Sequence, residues 1–161
     1  EAAEIYALMA KAFLSRGAQS LTVSSRRFEH ATEIASALGA AALPFEQWPS
    51  QLQGFDIAVC STSSPQAVVS LPVVSAAMKH RPARPLFLID LALPRDVDAT
   101  VADTENVFLY NLDDLAKIAE ENLAARTAEV DKARAILSEK AAYLWEQLAK
   151  NGLVNGSSAT P

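Results

Sequence analysis

A doubly wound parallel α/β sheet followed by one long helix is the architecture predicted for this chain of 161 residues. Three observations predict it. Short β-prone apolar runs alternate with helix-period segments through the first two-thirds of the chain, the pattern of strands joined by helical crossovers. Glycine and proline punctuate only that part, because no proline lies between Pro94 and Pro161 and no glycine between Gly54 and Gly152. Past residue 110, apolar residues recur at helical spacing without a break. The expected division is an α/β domain over 1–110, a long helix over 111–150 and a loose, polar tail over 151–161.

The elements follow in order. Ile5, Leu8, Met9, Ala12 and Phe13 repeat at helical spacing, so the chain opens inside an amphipathic helix, with Gly17 placed to end it in a left-handed conformation. Leu21-Thr22-Val23 reads as a short strand, and Ser24 to Arg27 leads into a helix whose apolar face is Ala31, Ile34, Ala35 and Leu38, closed by Gly39. Ala41 to Phe45 suits a short edge strand, where Pro44 is tolerated. Phe55 to Cys60 is a stronger strand, followed by the polar turn Ser61-Thr62-Ser63-Ser64-Pro65 and a helix from about Pro72 to Lys79. Leu86 to Ile89 is continuously apolar, as for a strand covered on both faces, and Val107 to Tyr110 is another strand. Asn111 is placed to cap the last helix, with Asp113 and Asp114 favourably placed in its first turn. That helix extends for roughly 38 residues, or about 57 Å. Val130, Ala133, Leu137, Leu144 and Leu148 follow near-heptad spacing along it, a seam for a partner helix, against the alternative of a shorter helix folded back on its own sheet.

A doubly wound sheet opens with a strand and a glycine-rich turn, whereas this chain begins at the helix. The fold is therefore expected to lack its first strand, and the runs around Val23 and Val59 to lack the neighbour that would lie between them. Either the sequence is cut from a longer chain, the reading favoured here, or another molecule supplies the strand.

Composition narrows the class of function. Half the residues are hydrophobic and a fifth charged, which is typical of a folded globular domain. A net charge of −5 argues against a general grip on nucleic acid. No apolar run approaches the roughly 18–20 residues of a membrane span. The single cysteine excludes an internal disulfide and a cysteine-cluster metal site, and suggests a reducing, cytoplasmic setting.

Four places hold candidate chemistry. After the first strand, Ser25-Arg26-Arg27 stands where an acidic residue would bind the ribose of NAD and an arginine accommodates the 2′-phosphate of NADP. Two guanidinium forks suit a dianionic phosphate, although two solvated arginines at a helix start are the plain alternative. If a Gly-x-Gly turn precedes Glu1, then Ala2 and Ala3 let the backbone approach a pyrophosphate. Ser61 and Thr62 sit beyond a strand end, where ligands of open α/β sheets bind, or else cap the following helix. Asp90, Pro94 and Arg95 either line the same crevice or form an internal pair across a turn set by the proline. Cys60 ends an apolar strand with no histidine or lysine close in sequence, which suits an inert thiol. His30 and His80 read as surface helix residues, with no pattern for acid–base or metal work.

Three blocks carry a resemblance. Phe87-Leu88-Ile89-Asp90-Leu91-Ala92-Leu93-Pro94-Arg95-Asp96-Val97, then Asn106 through Leu115, then Glu120-Glu121-Asn122-Leu123-Ala124-Ala125-Arg126 closely resemble glutamyl-tRNA reductase, and the match runs from Glu1 to about Leu148. The resemblance implies a Rossmann-like NADPH-binding domain and the start of a dimerisation helix. The family reduces the glutamyl group on glutamyl-tRNA with NADPH to glutamate 1-semialdehyde, in tetrapyrrole (porphyrin) synthesis. It implies cofactor-binding roles for Glu1, Ala2, Ala3, Ser25, Arg26, Arg27, Ser61, Thr62, Asp90, Pro94 and Arg95. It also implies a homodimer through the long helix, and glutamyl-tRNA contacts made by domains outside this chain. The family's cysteine nucleophile belongs to one of those domains and does not match Cys60, so this chain alone is expected to be inactive and to bind NADPH weakly or not at all. The family's phosphate turn usually reads Asn-Arg-Thr, so Arg26 matches while Ser25 and Arg27 depart from it. Two rivals remain: a non-catalytic dimerisation or regulatory module, and an NADP oxidoreductase resembling shikimate dehydrogenase, against which the first two blocks argue.

Overall fold

The computed structural model describes residues 2–150, with side chains described from residue 7 onward. Glu1 and the tail 151–161 lie outside the described residues, as do the side chains of Ala2, Ala3 and Ile5. The chain divides into two compact units, 1–111 and 112–161.

In the first unit, helix α1 (Ala2–Ser15) leads to strand β1 (Thr22–Ser25), helix α2 (Phe28–Leu38) and strand β2 (Ala41–Pro44). A 3-10 turn at Phe45–Gln47, the one-turn helix α3 (Trp48–Gln51) and a second 3-10 turn at Leu52–Gly54 connect to β3 (Ile57–Cys60). Helix α4 (Leu71–Met78), strand β4 (Leu86–Asp90), a 3-10 turn at Ala99–Asp103 and strand β5 (Val107–Asn111) complete it. Gly17 and Gly39 stand at φ +95° and +65° after α1 and α2, the left-handed positions a helix end favours.

All pairings are parallel, and they form two sheets, β1-β2 and β3-β4-β5. Among the described residues β1 pairs with β2 alone and β3 with β4 alone. The runs around Val23 and Val59 thus have no shared neighbour, the outcome expected for a doubly wound sheet without its central strand.

The larger core lies on one face of β3-β4-β5. Leu86 and Leu88 from β4 and Val107 from β5 pack with Val74 and Ala77 of α4, Leu52, and the loop residues Val69, Val97 and Val101. The opposite face of β4 is less covered than its apolar run predicts. Phe87 and Ile89 are half-buried, and Phe87 stacks on Phe108 with ring centroids 5.1 Å apart. The reason is that α4 and the 3-10 turns at Leu52–Gly54 and Ala99–Asp103 contribute to the Leu86–Leu88 side. In the smaller sheet, α2 packs through Ala31 and Ala35, as its periodicity predicts. Helix α1 departs from expectation. Leu8 and Ala12, assigned to its packed face, are exposed, and among its described side chains Ala10 is the buried one.

One buried cation ties the connections together. The Arg81 guanidinium, 2% exposed, donates to the carbonyls of Gln53, Phe55, Arg84 and Pro85 and to the Asp56 carboxylate at 3.2 Å. Arg84 shares that carboxylate at 2.5 Å, and its hydrogen bond holds the Asp56 carboxyl below its ordinary value.

The second unit is α5 (Leu112–Lys150), continuous over 39 residues and beginning one residue after the strand that Asn111 ends. None of its residues is buried. No helix among the described residues is long and apolar enough to cross a membrane.

Candidate dinucleotide site

Residues that leave the carboxyl ends of β1, β2 and β3 converge on one cleft of about 430 Å³. Arg26 comes from the turn after β1, Phe45, Glu46, Trp48 and Pro49 from the segment after β2, and Thr62, Ser64 and Val68 from the loop after β3. Open α/β sheets bind ligands at this edge, where strand order reverses. The cleft therefore draws on both sheets.

The loop after β3 is held by Asp96, which is fully buried. Its carboxylate accepts the Thr62 backbone N–H at 2.7 Å and the Thr62 hydroxyl at 2.5 Å, while its main-chain carbonyl accepts the N–H groups of Val68 and Val69. Thr62 Oγ1 in turn accepts the Ser64 N–H at 3.0 Å. Val69 and Val97 add a parallel bridge. The loops after β3 and β4 are thereby stitched into one platform.

Asp90, 1% exposed at the end of β4, is engaged within its own loop. Its two carboxylate oxygens accept the N–H groups of Ala92 at 3.0 Å and Val97 at 3.1 Å. Arg95 Nη1 donates to the Asp90 carbonyl oxygen at 3.4 Å, and Pro94 follows a cis peptide bond. Of the residues singled out in the sequence, Arg26 and Thr62 meet in the cleft. Ser25, Arg27, Ser61, Asp90, Pro94 and Arg95 do not line it, and Ala2 and Ala3 open α1. Ser25 ends β1 in register with Pro44, and Arg27 occupies the position before α2 without a side-chain capping bond.

Sequence reasoning missed Phe45, Glu46, Trp48, Pro49 and the Asp96 clamp. The aromatic pair three residues apart after a short strand was a usable signal. The clamp was not, because its partners stand 34 residues apart.

Cys60 lies beside this platform but is not activated. Burial pushes its thiol up to about 12, and the negative charges of Asp96 and Asp90 add to the effect. The thiol stays protonated at neutral pH, the reverse of what a nucleophile needs. His30 and His80 are exposed on the surface, as their sequence context suggests.

The donor set suits an anionic dinucleotide: the Arg26 guanidinium, the Ser64 hydroxyl and a loop backbone held in place, beside an apolar wall. Comparisons agree. The profile of the shikimate / quinate 5-dehydrogenase family matches residues 2–118. Glutamyl-tRNA reductase of Trichlorobacter lovleyi is 38% identical over 148 residues, 92% of this chain and 34% of that protein. The chain thus spans about a third of the length of such relatives. The structure of glutamyl-tRNA reductase from Methanopyrus kandleri superposes with a TM-score of 0.74 at 34% identity, covering 91% of this chain and 37% of that one. The nucleotide-binding domain of glutamyl-tRNA reductase from Thermoplasma volcanium shares the fold at TM-score 0.50 and 24% identity, covering 66% of this chain and 67% of its own. The chain belongs to the shikimate / quinate 5-dehydrogenase family, and the proteins it resembles in both sequence and structure are glutamyl-tRNA reductases.

Proposed function

We propose that this chain is the NADPH-binding module of a cytoplasmic glutamyl-tRNA reductase, the enzyme that converts glutamyl-tRNA to glutamate 1-semialdehyde in tetrapyrrole synthesis. The observation that carries the reading is the meeting of Arg26 with the clamped Thr62–Val68 loop at the carboxyl ends of strands from both sheets. Arg26 holds the 2′-phosphate, with Arg27 and Ser25 as neighbours at the same turn. Ala2 and Ala3, after Glu1, stand at the pyrophosphate. Thr62 meets the cofactor's ribose with Ser61 behind it in the same loop, and Asp90, Pro94 and Arg95 shape the loop beside it. The cofactor supplies the hydride, and this chain's residues bind and orient it, which is where a cofactor-binding protein contributes to rate.

In this reading 1–110 binds the cofactor and 111–150 carries the dimer contact of a homodimer. Segments of the parent enzyme outside this chain supply the cysteine nucleophile and the grip on tRNA. This chain alone then shows no turnover of glutamyl-tRNA, and measurable turnover would overturn that division. The direct test titrates the full-length reductase with NADPH and NADH. Arg26→Ala combined with Arg27→Ala is expected to weaken NADPH binding by about tenfold or more, as charge-assisted bonds to phosphate are lost, and to leave NADH unchanged. Equal affinity for the two cofactors in the unaltered protein removes the phosphate role.

A further inference from the structure

We infer that the cleft reads the purine base of the dinucleotide, with Glu46 as the acceptor for the exocyclic amine of adenine, so that the domain selects adenine over hypoxanthine. The inference rests on the NADPH-binding reading and goes beyond it to a selective residue.

The cleft has two kinds of wall. Phe45, Trp48, Pro49 and Val68 are apolar, and two of them are flat aromatic rings. Phosphate and sugar gain little from such a surface, whereas a base has two π faces and a polar edge. Phe45 opens the 3-10 turn after β2 and Trp48 opens α3 directly behind it, and both line the cleft. Trp48 packs against the hydrophobic core of the larger sheet, which fixes where the segment after β2 stands.

Four polar side chains complete the lining: Arg26, Glu46, Thr62 and Ser64. Arg26 only donates, the Ser64 hydroxyl donates or accepts, and the Thr62 hydroxyl already gives its proton to Asp96. Glu46 as a carboxylate accepts only. A carboxylate cannot share the phosphate with Arg26, since like charges repel, so its partner in the cleft is another group. The carboxylate suits the amine of adenine, a two-proton donor. Hypoxanthine carries a carbonyl oxygen at the same position, and a carboxylate facing it repels. Glu46 is exposed, so the discrimination is that of a solvated hydrogen bond rather than of a sealed pocket.

The test measures binding of NADPH and of its hypoxanthine analogue to the full-length protein, by nicotinamide fluorescence and by calorimetry. The unaltered protein is expected to prefer NADPH by about tenfold. In Glu46→Gln the preference is expected to fall to about twofold or less, because an amide can turn to accept from one base or donate to the other. Equal affinities in the unaltered protein, or an unchanged preference in Glu46→Gln, overturn the role of Glu46 while leaving the cofactor reading in place. Failure of the unaltered protein to bind either dinucleotide overturns both.

Discussion

Asp96 is a side chain whose value is set by where it is buried. Its carboxylate takes both hydrogen-bonding groups of Thr62, so its removal leaves a half-buried backbone N–H and a hydroxyl without that partner. Asp96→Ala is expected to cost about 2–3 kcal/mol, read from urea unfolding. Asp96→Asn is expected to cost less, because one amide oxygen still accepts. Cys60 makes a pH-dependent prediction of definite sign. Its ordinary value is 9.0 and its folded value about 12, so above pH 9 the unfolded chain loses a proton that the native chain keeps. Stability should therefore fall as pH rises from about 9 towards 12, and Cys60→Ala should lack that part of the slope in unfolding midpoints measured across the range. The ordinary local context of Cys60 pointed to inertness without any structure. The partners of the buried charges Arg81, Asp90 and Asp96 were not legible, because they are backbone groups or distant residues, and no spacing encodes which loop carbonyl or amide will face them.

Elements were legible where the signal is local. The Ala31, Ile34, Ala35, Leu38 stripe of α2, its closing Gly39 and the uninterrupted run of α5 are all written within a few residues of themselves. The one-turn helix α3 and the 3-10 turns are too short for a period to show, and they supply the aromatic wall of the cleft. Helix α5 gives the element its own prediction. Val130, Leu137 and Leu144 repeat every seven residues and stand 49%, 68% and 59% exposed, while Leu148 is 39% exposed. Ion pairs such as Glu129–Lys132, at 3.1 Å on the surface, add a few tenths of a kcal/mol and do not explain so much exposed apolar area. A coiled-coil seam with a second copy is the proposed cover. Sedimentation equilibrium of the protein should show a dimer, and Leu137→Glu with Leu144→Glu should raise its dissociation constant by about a hundredfold or more, since charges are then forced into the seam. A monomer at high concentration in the unaltered protein would sink the seam.

At the scale of the whole molecule the parting of the sheet decides how stability is distributed in the first unit. Strand β4 is paired on both sides and contributes the buried Leu86 and Leu88, whereas β1 has a single partner and its residues alternate between exposed and half-buried. Two-stranded sheets are marginal, and their amides open at lower free energy than those of a packed central strand. Native-state hydrogen exchange is therefore expected to find Leu86–Asp90 slowest among the strands and Thr22–Ser25 fastest. The cleft adds a condition that separates binding from mere packing. Because its lining comes from the segments after β1, β2 and β3, a dinucleotide seated there contacts residues anchored in both sheets. A ligand at about a hundred times its dissociation constant stabilises the binding-competent state by about 2.7 kcal/mol. Saturating NADPH should accordingly slow exchange at Thr22–Ser25 as well as at Ile57–Cys60 in the full-length protein. Protection gained only in β3-β4-β5 would mean that the ligand does not engage Arg26, and would move the phosphate site away from the turn after β1.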